Sequence, residues 1–234
     1  MIFCNQTNYT INRTDYRMEP ITVILQTFKR TEYALRTISA ARELLHYDGP
    51  LRWYVADDGS PLSHVFEVLH ALPDAGHHSL RRGYGWNANA AWDAAQSDLT
   101  FWLEDDFVLN QPLDLTPHAY ALMDSDALGM VRLGYINPER LERVQTFAGR
   151  RYHTMPRDWP DMALYAFTGH PSLRHRRYRA AYGDYPEGLG PGDTELAYAY
   201  QYRIGDGPLI VWPEGYPTEG MWAHIGAIKT ETML

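Results

Sequence analysis

Three consecutive acids, Glu104-Asp105-Asp106, follow the apolar run Leu99–Leu103, and a second acidic pair, Asp57-Asp58, follows Leu51–Ala56. Carboxylates placed side by side repel one another unless a cation or hydrogen-bond donors offset their charge. Hard oxygen ligands of this kind suit Mg²⁺ or Mn²⁺, and such an ion could in turn hold a diphosphate. An acid after a strand is also an ordinary helix cap, which is the plainer reading of Asp57 and Asp58. The triplet is harder to explain as a cap, because two apparent strands then share an acidic end on one edge.

The elements that must carry these acids follow from the apolar pattern. Ile21–Leu25, Leu51–Ala56, Leu99–Leu103 and Gly129–Leu133 have the composition of buried strands. Between them lie helical stretches. Leu35, Ile38, Ala41, Leu44 and Leu45 recur at helical spacing from Thr31 onward, and Asn87–Ala95 also reads as helix. Ser60-Pro61 predicts a capped helix start with Leu62, Val65, Phe66 and Leu69 as its buried stripe, and Thr116-Pro117 repeats the signal. A further helix is predicted around Thr194–Arg203. Alternating strand and helix implies an α/β fold, an open and mostly parallel sheet with helices on both faces. Ligands of such sheets bind beyond the carboxyl ends of the strands, where both acidic groups fall. Residues 1–19 read as a polar arm and 20–234 as one domain.

Composition excludes several classes. Of 234 residues 45% are hydrophobic and 21% charged, an ordinary globular balance that rules out wholesale disorder. The formal charge of −8 argues against a protein that grips nucleic acid through its phosphates. No apolar run approaches the ~20 residues of a membrane span, so integral membrane association is not expected. A single cysteine, Cys4, excludes an internal disulfide framework and fits a reducing compartment. Asn5, Asn8 and Asn12 each begin an Asn-x-Thr pattern, but no leader directs the chain outward. A soluble, cytoplasmic protein is the expectation. The basic cluster Arg174, His175, Arg176, Arg177 and Arg179 reads as a solvated face or loop, or else as a patch for a phosphorylated donor or anionic acceptor.

Four features in register over Ile21–Asp106 resemble the nucleotide-binding half of GT-A-fold glycosyltransferases of the family 2 type. They are Ile21–Arg30, Val55-Ala-Asp-Asp-Gly-Ser60, the loop from Gly83 to Asn89, and Phe101-Trp-Leu-Glu-Asp-Asp106. The resemblance implies a GT-A (Rossmann-like) fold, with a nucleotide-binding half at 20–110 and an acceptor half at 111–234, and an inverting, metal-dependent transfer of sugar from a nucleotide donor, with a UDP-sugar favoured. Asp57 or Asp58 would then meet the base, Glu104 and Asp105 the ribose and its surroundings, and Asp106 a divalent cation, Mn²⁺ or Mg²⁺. Thr27, Arg30 and Asn89 are further nucleotide contacts by the same resemblance. Ala88 stands where the family often has arginine, a role that Arg81 or Arg82 could take over. Gly190-Pro-Gly-Asp-Thr-Glu-Leu196 is similar to the family's acidic motif, which makes Asp193 the candidate base and Glu195 the second choice, although Gly192 replaces the usual glutamate. Met221-Trp-Ala-His-Ile-Gly226 resembles the segment that supplies a histidine ligand, here His224, while Trp222 and Tyr216 could stack on a sugar or acceptor.

Two other classes compete. A nucleotidyltransferase would share the sheet and the metal, but Gln26–Arg30 lacks the glycine-rich loop expected there. A non-catalytic nucleotide-sugar-binding module would have no reason to retain Asp106, Asp193 and His224 together. The acceptor, whether saccharide, protein, small molecule or modified nucleobase, has no signature in the sequence.

Overall fold

The computed structural model describes residues 18–134, 143–157, 167–216 and 220–226. The polar arm through residue 17, with Cys4, Asn5, Asn8 and Asn12, lies outside them.

Strand β1 (Ile21–Thr27) is buried along its whole length, because parallel strands flank it and helices cover both its faces. β3 (Leu51–Asp57) pairs with it on one side and β5 (Leu99–Glu104) on the other, while β4 (Gly76–Ser79) extends the parallel run beyond β3. Past β5 the sheet turns mixed. β11 (Ser172–His175) runs antiparallel between β5 and β8 (Leu128–Arg132), β12 (Leu209–Pro213) is parallel to β8, and the hairpin of β9 (Arg143–Phe147) and β10 (Arg150–Thr154) closes that edge. The order is β4-β3-β1-β5-β11-β8-β12-β10-β9, so one nine-stranded sheet runs through both halves of the chain.

Side chains alternate across the sheet and build two cores. Ile21, Val23, Leu25, Val55, Phe101 and Leu103 point to the face covered by α1 (Thr31–Leu44), α2 (Leu62–Ala71) and α4 (Thr116–Asp124). Ile24, Ala56, Trp102 and Met130 point to the other, covered by α3 (Tyr84–Ala94), α5 (Arg176–Tyr182) and α6 (Pro191–Ile204). Each fully buried aliphatic side chain contributes about 2 kcal/mol relative to exposure. Two short ladders brace the edges. β2 (Leu45–His46) joins β7 (Leu113–Asp114), and β6 (Phe107–Leu109) joins β13 (Trp222–His224).

Three sequence expectations are corrected. Leu62 and Phe66 do not belong to the buried stripe of α2; they are 74% and 70% exposed, and the helix buries His64, Val65 and Val68 instead. Ser60 does not cap that helix, because its hydroxyl is committed to Asp57 and to the Lys29 amide. The basic cluster is no solvated patch. Arg174 is wholly buried under Trp102, with its guanidinium carbon 4.4 Å from the ring centre, and it bonds Ser172 and the Tyr185 hydroxyl. Arg176 pairs with Asp98 at 2.7 Å, Arg179 pairs with Asp93 and Asp184, and Arg177 caps the carbonyls of Leu122, Ser125 and Leu128. His175 accepts the Arg177 amide at the start of α5. Only Arg176 is exposed, and each of these cations already has a partner, tying β11 and α5 to α3, to the end of α4 and to the turn before β5. Among the described residues no helix is long and apolar enough to cross a membrane.

Candidate active site

Parallel register puts three strand ends at one edge. Thr27 lies opposite Asp57 and Gln26 opposite Glu104, so β1, β3 and β5 all deliver their last residues to the same crevice. The Asp105 amide extends the ladder by donating to the Gln26 carbonyl at 3.0 Å.

Asp105 is fully buried and surrounded by donors. The Thr27 hydroxyl donates to Oδ2 at 2.8 Å, the Phe28 amide donates to the same oxygen at 3.2 Å, and Arg30 pairs with Oδ1. Burial pushes its pKa up to about 7, while Arg30, Thr27 and Phe28 pull the other way. The loop that carries those donors is bent hard. Lys29 takes a positive φ of 58°, and its amide donates to the Ser60 hydroxyl at 2.8 Å.

Asp106 receives Arg30 Nη1 on Oδ2 at 2.6 Å, and the same oxygen lies 3.4 Å from His224 Nε2. β6 and β13 set this approach by pairing Phe107 with His224. The two rings stack 4.6 Å apart with planes 2° from parallel, and the Ile225 amide donates to the Asp106 carbonyl at 2.9 Å. Gly226 is required here, because a Cβ would overlap Asp106 and Arg30. Asp106 Oδ1 is buried without a hydrogen-bond partner, a costly state for a carboxylate oxygen. An unpartnered carboxylate oxygen and, against the other oxygen, an imidazole are donor types that suit a divalent cation. Among the described residues no group of three or more His, Cys, Asp or Glu side chains converges on one point.

Glu104 turns toward the second half of the chain. It accepts the Tyr84 hydroxyl at 3.0 Å and lies against Gly169, where any side chain would overlap its carboxylate. The Gly169 amide donates to Glu195. Burial, then the Glu195 charge and the Asp106 charge, raise the Glu104 pKa well above the ordinary carboxylate value. Burial likewise raises Glu195, against the Gly169 amide, Arg132 and Arg174. The structure therefore joins Glu195 to the acidic edge through Gly169, whereas Asp193 stands exposed in the first turn of α6.

Other expected contacts are engaged within the protein. Asp57 accepts the amides of Gly59 and Ser60 and the hydroxyls of Ser60 and Ser79, so it organises the β3–α2 turn. Asp58 accepts the amides of Arg82 and Gly83 and pairs with Arg81 at 2.5 Å. Arg81 lies over the Phe28 ring at 4.1 Å and Arg82 over Trp86 at 5.1 Å. Asn89 spends its amide on Tyr185 and Glu187, tying α3 to the loop before α6. Trp222 Nε1 and the Tyr216 hydroxyl both donate to the Leu133 carbonyl, at 2.7 and 2.8 Å, and Trp222 stacks on Phe101. Their polar tips are spent on packing because a buried N–H or O–H must find an acceptor. Tyr84, Gly169 and Gly226 carried no signal in the sequence, since each matters only through a long-range approach.

An open groove of about 610 Å³ lies at the opposite edge, among Thr22, Leu51, Trp53, Leu72, Gly76 and Gln96 at the amino ends of the strands. It contains none of the acidic groups, so we place the site at the carboxyl edge on chemical grounds.

The profile of glycosyl transferase family 2 matches residues 22–183. No curated protein sequence matches the chain. Among solved structures it is similar to the mannosyltransferase PcManGT from Pyrobaculum calidifontis, solved with GDP-Man and Mn²⁺, at 19% identity and a TM-score of 0.51 over 88% of this chain and 59% of that one. It is also similar to S. aureus TarS 1–349 solved with UDP, at 14% identity and a TM-score of 0.59 over 87% of this chain and 59% of that one. The same TarS fragment with UDP-GlcNAc aligns at 13% identity and a TM-score of 0.58, over 90% of this chain and 62% of that one. The chain thus spans about three fifths of the length of these structures, and the likeness shows a common GT-A fold. With the family profile covering most of the chain, the protein belongs to glycosyl transferase family 2.

Proposed function

We propose that the protein transfers a glycosyl group, with inversion, from a nucleoside-diphosphate sugar to an acceptor hydroxyl, with a UDP-sugar as the favoured donor. The observation that carries this reading is Asp106 itself, with Oδ1 buried and unpartnered and Oδ2 3.4 Å from His224 Nε2, at the edge where β1, β3 and β5 end. The nucleotide sugars named with PcManGT and TarS support the donor class.

Asp106 and His224 would hold Mn²⁺ or Mg²⁺, which supplies charge stabilisation for the departing diphosphate. Arg30 orients Asp106 and adds its own positive charge to the phosphate side. Asp193 is the base: exposed at the start of α6, it takes the proton of the acceptor hydroxyl as that oxygen bonds to the anomeric carbon. The bond from that carbon to the phosphate oxygen breaks, and its electron pair leaves with the nucleoside diphosphate. Glu195, bound to Gly169 beside Glu104, shapes the floor under the donor sugar.

Nucleoside-diphosphate release from a panel of nucleotide sugars tests the reading. Asp106→Ala is expected to abolish release while leaving the melting transition in place. Asp193→Asn is expected to lower kcat by about a thousandfold. Glu195→Gln is expected to retain much more, and the reverse order would move the base to Glu195. Diphosphate release from a nucleoside triphosphate and a sugar phosphate would contradict glycosyl transfer.

A further inference from the structure

His64 is buried on the inner face of α2, directly beneath the loop that carries Thr27 and Arg30. Its two nitrogens face two hydroxyls, with Nε2 3.0 Å from Thr27 Oγ1 and Nδ1 2.9 Å from Thr31 Oγ1. The Thr27 hydroxyl has one proton, and it is given to Asp105 Oδ2. Toward the ring Thr27 can therefore only accept, so Nε2 must carry the hydrogen. Nδ1 is then bare and accepts from Thr31. A chain of bonds with one direction results, from Thr31 to His64 to Thr27 to Asp105, and Arg30 bridges Asp105 to Asp106.

The ring is anchored as well as oriented. Nε2 lies 3.7 Å from Asp57 Oδ1, the oxygen that also accepts the Ser60 hydroxyl, and Ser60 in turn holds the strained Lys29 amide. Asp57 thus supports the 27–30 loop from two sides, through Ser60 and through His64. The groups facing His64 are Thr27, Thr31 and Asp57, with Glu67 as the further charge on its own helix. Burial lowers the ring's pKa against Asp57 and Glu67, which keeps it neutral, as a ring that both donates and accepts must be.

We propose that His64 is a positioning residue, acting as the Nε2–H tautomer to aim the Thr27 hydroxyl at Asp105 and so fix the Asp105–Arg30–Asp106 array against which the diphosphate docks. The proposal rests on the glycosyl-transfer reading for its ligand, and no part of it makes His64 touch substrate. Its signature is dependence on Thr27. His64→Leu is expected to weaken binding of UDP or GDP in the presence of Mn²⁺ by about tenfold, the scale of one lost buried hydrogen bond. His64→Gln, whose amide N–H can reach the Nε2 position, is expected to stay within about threefold of wild type. In a Thr27→Val background His64→Leu should cost almost nothing further, because the group it acts through is gone.

The experiment is calorimetric titration of UDP and GDP with Mn²⁺ into the wild type and these variants, together with ¹⁵N shifts of the His64 ring in the wild type at pH 8. Coupled costs, rescue by glutamine and an Nε2–H ring support the proposal. Additive costs at His64 and Thr27, an unaffected His64→Leu, or an Nδ1–H or cationic ring would overturn it while leaving the transferase reading intact. A wild type that binds neither nucleotide would overturn both.

Discussion

At the residue scale the site depends on how two adjacent carboxylates are compensated. Arg30 serves both Asp105 and Asp106, so Arg30→Met leaves a fully buried acid short of its cation. Breaking a buried pair from one side costs about 3 kcal/mol, and we expect chemical denaturation of Arg30→Met to show a loss of that order together with lost nucleotide binding. Glycines at the edge are equally exacting. Gly169→Ala presses on Glu104 and Gly226→Ala on Asp106, and each is expected to cut turnover at least tenfold with a smaller change in melting temperature. The acids themselves were legible in the sequence because adjacent carboxylates are an electrostatic oddity wherever they occur. Their supports were not. Tyr84, His64 and Gly169 reach the site across long stretches of chain, and nothing in their own neighbourhoods marks them.

At the element scale, period and composition located β1, β3, β5, β8 and the helices between them to within a few residues. Which face a helix buries was less legible where both faces carry apolar residues. α2 offers Leu62, Val65, Phe66, Val68 and Leu69, and packing selected Val65 and Val68 with His64. We expect Phe66→Ser to change unfolding free energy by no more than about 0.5 kcal/mol, as for an exposed site. Leu103→Ala, near the end of β5 with no exposure, should cost about 3 kcal/mol. Equilibrium denaturation of the two variants side by side decides the point. The basic stretch at 174–179 misled for a related reason. A run of charge looks solvated, yet Arg174 is buried on β11 with its guanidinium carbon over Trp102, where a planar, weakly hydrated guanidinium is tolerated.

At the scale of the whole molecule, one mixed sheet couples the parallel strands of the first half to the strands of the second. Two buried histidines tie its stability to pH. Burial, with Arg150 near one and Arg177 near the other, lowers His118 and His175 to about 4. His118 faces the Tyr152 hydroxyl, and His175 accepts the Arg177 amide through a bare Nδ1. An unfolded chain protonates both near 6.5, so between about 6.5 and 4 the unfolded state binds more protons, and stability is lost as the pH drops through that window. Each histidine contributes on the order of 3 kcal/mol at most over that window. His118→Gln should flatten the acid limb of a Tm-against-pH curve, and an unchanged limb would remove His118 from the account. The claim on which the rest depends is that Asp106 and His224 together hold the cation that receives the diphosphate. Titrating Mn²⁺ and UDP or GDP into wild type, Asp106→Asn and His224→Ala measures it directly. Tight, metal-dependent nucleotide binding in the wild type, lost in Asp106→Asn and weakened about tenfold or more in His224→Ala, is the expected result. Metal-dependent binding that survives intact in Asp106→Asn would contradict it.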